Sequence, residues 1–128
     1  MGLDQHAYAI SKHDKALLET DEYRDGDLAI ESEEKLMYWR KHANLNEWMA
    51  RLYEADGGMQ EFNCKRLWLS IDDIDALEKT VLADSLPHGE GFFWGQSSPE
   101  DKASDLEFIA KARDAFSRGL EVYYYCWW

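Results

Sequence analysis

Few side chains in this sequence are placed to do chemistry, and the most conspicuous is a lysine. In LMYWRKHANLNEWMARLY, residues 36–53, apolar residues recur at helical spacing. At about 100° per residue, Met37, Leu45, Trp48, Met49 and Leu52 share one side of a helix, while Arg40, Asn44, Glu47 and Arg51 take the other. Lys41 falls on the apolar side, between Met37 and Trp48. A lysine there either lays its stem along Trp48 with the ammonium at the solvent, or sits in a cleft where desolvation frees the amine for base or nucleophile chemistry. In the second case Arg40, Asn44 and Trp48 would line the pocket with Phe93 and Trp94, which belong to the run Gly91-Phe92-Phe93-Trp94-Gly95. That run could stack a planar ligand, but no basic residues flank it as they flank nucleic-acid stacking sites, so core filling is the plainer expectation.

The remaining reactive residues show no motif. Asp72, Asp73 and Asp75 lack the glycine and terminal glutamate of a calcium loop and suit the first turn of a helix. The four histidines, His6, His13, His42 and His88, have no paired spacing with a third ligand, so no metal and no cofactor is expected. Cys64 and Cys126 are too few for a disulfide framework and are read as small hydrophobes in apolar strands. No nucleotide loop and no nucleophile beside a base can be picked out.

The elements that must position these residues follow from periodicity and punctuation. LDQHAYAI (3–10) reads as a first strand. Residues 11–27 read as a charged loop, with a helical turn at Lys15–Thr20 and a turn signal at Asp25-Gly26-Asp27. A helix is expected over 32–55, ended by Gly57-Gly58, then a strand over 64–70. Ser70 is the expected N-cap of a second helix that stops before Leu86-Pro87. The glycine-bracketed stretch 89–99 reads as a strand or buried turn. Ser98, with Pro99 at the first helical position, opens a third helix carrying Leu106, Ile109, Ala110, Arg113 and Phe116, and Gly119 closes it. LEVYYYCWW (120–128) is a terminal strand that needs burial, since an exposed one would aggregate. The expected fold is α+β: residues 1–128 as one domain, a small antiparallel or mixed sheet with its N- and C-terminal strands adjacent, and about three helices on it.

Charge narrows the function classes. Twenty-six acidic against fourteen basic residues give a net charge of −12, which repels phosphate backbones and anionic membranes. Direct nucleic-acid binding is therefore not expected. No apolar stretch approaches the ~20 residues of a membrane span, and no secretory leader is seen at the start. The expected location is the cytosol.

The motifs also carry a likeness. MGLD at the start, YWRK followed by Trp48, Leu86-Pro87 before GFFWG, and the aromatic end EVYYYCWW resemble a family of small uncharacterised proteins encoded by phages and prophages. In that family the pattern runs MGLD, YWRK-x-N-x-x-H-x-W, LP…GFFFG and EIYY…W. The likeness covers nearly the whole chain in order, but Ala43 and Asn46 stand where the family pattern has Asn and His. The phosphoglycerate kinase activity attached to some such proteins needs two large nucleotide-binding domains, for which 128 residues leave no room.

The resemblance implies a phage or prophage origin and a setting in the bacterial host cytosol. Together with the acidic charge it leads to an expected function: a non-catalytic protein that binds a host protein, with inhibition of a host defence or DNA-binding protein as its sharper form. The alternative is a small enzyme or ligand-binding domain with a pocket near Lys41 and GFFWG. An exposed aromatic or acidic patch favours the first, and a concave site with perturbed titratable groups the second.

Overall fold

The computed structural model describes residues 2–18, 32–90 and 94–128. Strand β1 is Asp4–Ile10, helix α1 Lys12–Leu18, strand β2 Glu34–Arg40 and helix α2 Ala43–Ala55. Strand β3 is Arg66–Leu69, helix α3 Ile71–Leu82, helix α4 Asp101–Ser117 and strand β4 Glu121–Trp127. The four strands form one antiparallel sheet in the order β2-β1-β4-β3, so the N- and C-terminal strands are central neighbours. The fold is α+β as expected, with four helices among the described residues. None of them is long and apolar enough to cross a membrane.

The expected helix over 32–55 is wrong in its first half. Residues 34–40 form edge strand β2, and the chain turns at Lys41, whose φ of 60° is a left-handed conformation incompatible with a continuous helix. The corner is held because the Lys41 N–H donates to the Leu3 carbonyl at 2.9 Å. Lys41 is accordingly an exposed corner residue and not a member of an apolar helix face. Leu36 and Trp39, three apart, satisfy a helical period as well as they satisfy this strand, where a bulge between Ala7 and Tyr8 in the pairing shifts the register.

Alternation then divides the sheet. Leu3, Gln5, Ala7 and Ala9 of β1 and its approach, with Val122, Tyr124 and Cys126 of β4 and Leu67 and Leu69 of β3, are buried on one face. Ile74, Leu77 and Val81 of α3, Phe108, Ile109, Ala112 and Ala115 of α4, and Leu45 and Met49 of α2 complete that core. Ser70 caps α3 as expected, in a reciprocal box with Asp73. Helix α4 begins at Asp101, past the expected cap: the Ser98 N–H donates to Asp101 Oδ2 at 2.8 Å, so Ser98, Pro99 and Glu100 form a turn ahead of the helix. Its buried stripe includes Asp105, Phe108, Ala112 and Ala115, while Ala110 is exposed.

The terminal strand is tied down beyond its ladder. Asn63 donates from Nδ2 to the Trp128 carbonyl at 2.7 Å and accepts the Trp128 N–H at 3.0 Å, and the Trp128 indole donates to the Phe62 carbonyl at 3.0 Å. Cys126 is buried beneath it, and burial, reinforced by the nearby Cys64, pushes its thiol up to about 12. Cys64 is exposed at a left-handed corner before β3, so the expectation that both cysteines sit as small hydrophobes in apolar strands holds only for Cys126.

Candidate functional site

The corner after Lys41 places His42, and His42 organises the polar interior. Its N–H donates to Gln5 Oε1 at 2.9 Å, and its carbonyl accepts from Gln5 Nε2 at 3.0 Å. Gln5 Nε2 also donates to the Tyr124 hydroxyl at 2.8 Å, which donates to Asn46 Oδ1 at 2.7 Å. On the ring, Nε2 lies 2.8 Å from Asp105 Oδ2 and Nδ1 lies 2.6 Å from Ser97 Oγ. Asp105 is 1% exposed, and its other oxygen accepts the Trp39 indole N–H at 3.0 Å. A carboxylate facing Nε2 favours a proton there, so Nδ1 is left to accept from the Ser97 hydroxyl. Burial lifts the Asp105 carboxyl above its ordinary range against the opposing pull of His42.

Helix α2 has no side-chain cap of its own, and Ser97 supplies one from a distant loop: its Oγ accepts the Asn44 N–H at 2.9 Å. Asn44 Oδ1 in turn accepts the Gly89 N–H at 3.0 Å. Gly89 must be glycine for this contact, because a Cβ there would come within 2.2 Å of the Ala43 carbonyl oxygen. The result is a cleft of about 280 Å³ between the start of α2, the end of α3 and the start of α4. Ser97 reaches it together with Asn44, Asp84, Asp101 and Lys102, against an apolar wall that includes Val81 and Leu86. Asp101 Oδ2 lies 3.5 Å from His42 Nδ1, and Lys102 is paired with Asp84 at 3.0 Å.

The sequence-predicted site residues do not converge on one pocket. Arg40 lies on the far face of the sheet, paired with Asp4 at 3.2 Å. Lys41 packs its stem on Gly95, where a Cβ would meet the Lys41 Cβ at 2.9 Å. Trp94 is buried with its ring edge-on to Trp128, centroids 5.9 Å apart. Trp48 lines a separate groove with Arg51, Leu52 and Pro87. Phe93 lies outside the described residues. Of the described ones, Asn44 alone lines the cleft. Sequence reasoning missed Ser97, His42 and Asp105, which lie 55 and 63 positions apart in the chain.

The far face of the sheet is a second candidate. Pairing sets three cross-strand rows on it: Arg40, Asp4 and Trp127; Tyr38, His6, Tyr125 and Arg66; Lys35, Tyr8, Tyr123 and Trp68. The rings lie against one another, with His6 and Tyr38 centroids 5.0 Å apart and Trp68 and Tyr123 5.1 Å apart. Cations cover the rings: Lys35 Nζ lies 5.0 Å from the Tyr38 centroid and the Arg66 guanidinium 5.6 Å from that of Tyr123. Lys15 of α1 lies 4.7 Å over Trp68 at the third row, where Tyr123 is buried. Towards the other end, Tyr38 is 41% and Trp127 62% exposed. No protein-family model, no curated protein and no solved structure matches the chain.

Proposed function

We propose that this chain is a protein-binding domain whose partner docks on the aromatic far face of the sheet. The observation that carries this reading is the register itself, which gathers tyrosine, tryptophan, histidine and arginine from all four strands onto one face. Tyr, Trp and Arg are the residues that concentrate binding energy in protein interfaces. The three rows hold Arg40, Arg66 and Lys35 against one acid, Asp4, in a chain of net charge −12. A partner surface that mixes apolar and acidic groups complements them, with Glu33 at the margin of the same face. The phage or prophage likeness of the motifs supplies the setting, a host protein in the bacterial cytosol.

This reading places the working surface on the sheet and not on the acidic faces of the helices. Part of that acidity is neutralised within the chain: Arg113 bridges Asp75 at 2.8 Å and Glu78 at 2.6 Å, and Arg118 bridges Glu34 at 3.0 Å and Asp114 at 2.9 Å. The test is capture of partners from the bacterial host by tagged wild type and by Tyr38→Ala, Arg66→Glu and Trp127→Ala, with Asp72→Asn on the helix side as control. The expected result is one retained protein, lost in the face variants and kept in the control. Equal retention by all variants refutes the face. Micromolar binding of single-stranded nucleic acid to the wild type, lost in the same variants, assigns the face to a different class of partner and refutes the proposal.

A further inference from the structure

On the opposite side of the sheet, the cleft holds a nucleophile, a base and an orienting carboxylate in one hydrogen-bonded line. We infer that Ser97 is an acyl-accepting nucleophile, with His42 as its general base and Asp105 as the positioning residue behind it. Three features carry this. The Ser97 hydroxyl reaches a cleft, while the ring that would take its proton is shielded from water. The base nitrogen lies 2.6 Å from Oγ, and the far nitrogen is fixed by a carboxylate at 2.8 Å that a tryptophan indole holds from its other side at 3.0 Å. The Asn44 N–H, in the first turn of α2, donates to the same oxygen at 2.9 Å and stabilises negative charge as it forms there.

The electron and proton balance closes within these groups. Ser97 Oγ forms a bond to the acyl carbon as its proton passes to His42 Nδ1, leaving an imidazolium held by Asp105. The carbonyl oxygen takes the charge, with Asn44 and Lys102, which line the cleft, as the residues that supply its donors. The bond to the leaving oxygen or nitrogen breaks, and that atom takes the proton back from Nδ1. Water then repeats the sequence in reverse, giving its proton to His42 and releasing the acid. With Asp84 and Asp101 at the rim and Val81 and Leu86 in the wall, the cleft takes a small ester or amide that is neutral or cationic in its acyl part, and rejects an anionic one.

The experiment uses the folded wild type with a neutral fluorophosphonate probe, the adduct located by tandem mass spectrometry, and p-nitrophenyl acetate as an acyl donor. The expected result is an adduct on Ser97 in preference to the other serines, formed at least tenfold faster than in the urea-unfolded chain, and loss of acetate turnover after labelling. Asp105→Asn, checked for folding by near-ultraviolet circular dichroism, is expected to slow labelling at least tenfold. It should also change the dependence of the labelling rate on pH, a readout that packing alone would not move. Folded wild type with no Ser97 adduct, or with labelling no faster than the unfolded chain, overturns the inference. So does a folded Asp105→Asn that labels with the wild-type rate and pH profile.

Discussion

The sharpest test of the interior is a pair of substitutions at Asp105. Its two oxygens accept from the Trp39 indole at 3.0 Å and from His42 Nε2 at 2.8 Å, and it is 1% exposed. Asp105→Ala strands two buried N–H donors, each costing about 1–3 kcal/mol. Part of this is offset because a buried carboxylate is no longer held out of water, so the net expectation is roughly 3–5 kcal/mol. At about 3–6 °C per kcal/mol for a chain of this length, the melting temperature should fall by roughly 10–30 °C. Asp105→Asn keeps the shape and leaves one acceptor oxygen for the indole. Its NH₂ then faces Nε2, which can accept only if His42 moves its proton to Nδ1. That tautomer turns the Ser97 hydrogen bond around, and the cost should be about 1–2 kcal/mol. Urea and thermal melts of both variants separate the cases. If Asp105→Ala loses less than about 1 kcal/mol, the two donors find other partners and the hub is not what fixes the corner.

Three further outcomes are expected. Deleting residues 123–128 removes five aromatic side chains, two of them buried tyrosines; at roughly 1.5–3 kcal/mol per enclosed side chain against a total of about 5–15, the chain should not fold, and a soluble deletion with an unchanged melt would show the strand to be dispensable. Lys41→Gly should be neutral or stabilising by up to about 1 kcal/mol, because glycine relieves the φ of 60° but adds freedom to the unfolded chain, whereas Lys41→Val should be worse than either in the same denaturant melt. Since the folded pKa of Asp105 is raised, the folded state binds more protons than the unfolded state between the two values; this group's contribution to stability is therefore present in acid and lost as pH rises from about 3.9 through the folded pKa, a slope that Asp105→Asn should remove from the stability-versus-pH curve.

The sequence makes β1, β3, β4 and α3 legible because each obeys a local rule: rough alternation in β1, apolar and aromatic content in β3 and β4, and Ser70 with its acidic first turn in α3. β2 was hidden by a corner at Lys41, a residue type that seldom takes a left-handed φ, with neither glycine nor proline to announce it. The Ser97, His42 and Asp105 line is invisible in the sequence for another reason. Its members come from a loop, a cap and a helix brought together only by tertiary packing, and spacing carries no trace of that. One local signal did exist: Asp105, Phe108, Ala112 and Ala115 share a helical stripe, and an acid on the buried side of a helix asks for a partner. A stripe drawn through Leu106, Ala110 and Arg113 is centred one residue later and leaves Asp105 outside it.

The two candidate surfaces depend on the same strands in opposite ways. Gln5 and Tyr124 point towards the helices, where Gln5 holds the His42 backbone and Tyr124 links Gln5 to Asn46, while their neighbours Asp4, His6, Tyr123 and Tyr125 point away and build the aromatic face. A slip of one residue between β1 and β4 would therefore put Gln5 among the exposed rings and His6 into the core, destroying both surfaces at once. The buried polar pairs make that slip expensive. Gln5 leaves neither of its amide atoms without a partner only in the native register, where the His42 N–H and carbonyl stand opposite it at 2.9 and 3.0 Å. An apolar residue at position 5 would pack against Tyr124 in more than one register. The glutamine restricts the pairing to one, and with it the positions of Ser97 behind the sheet and the rings in front.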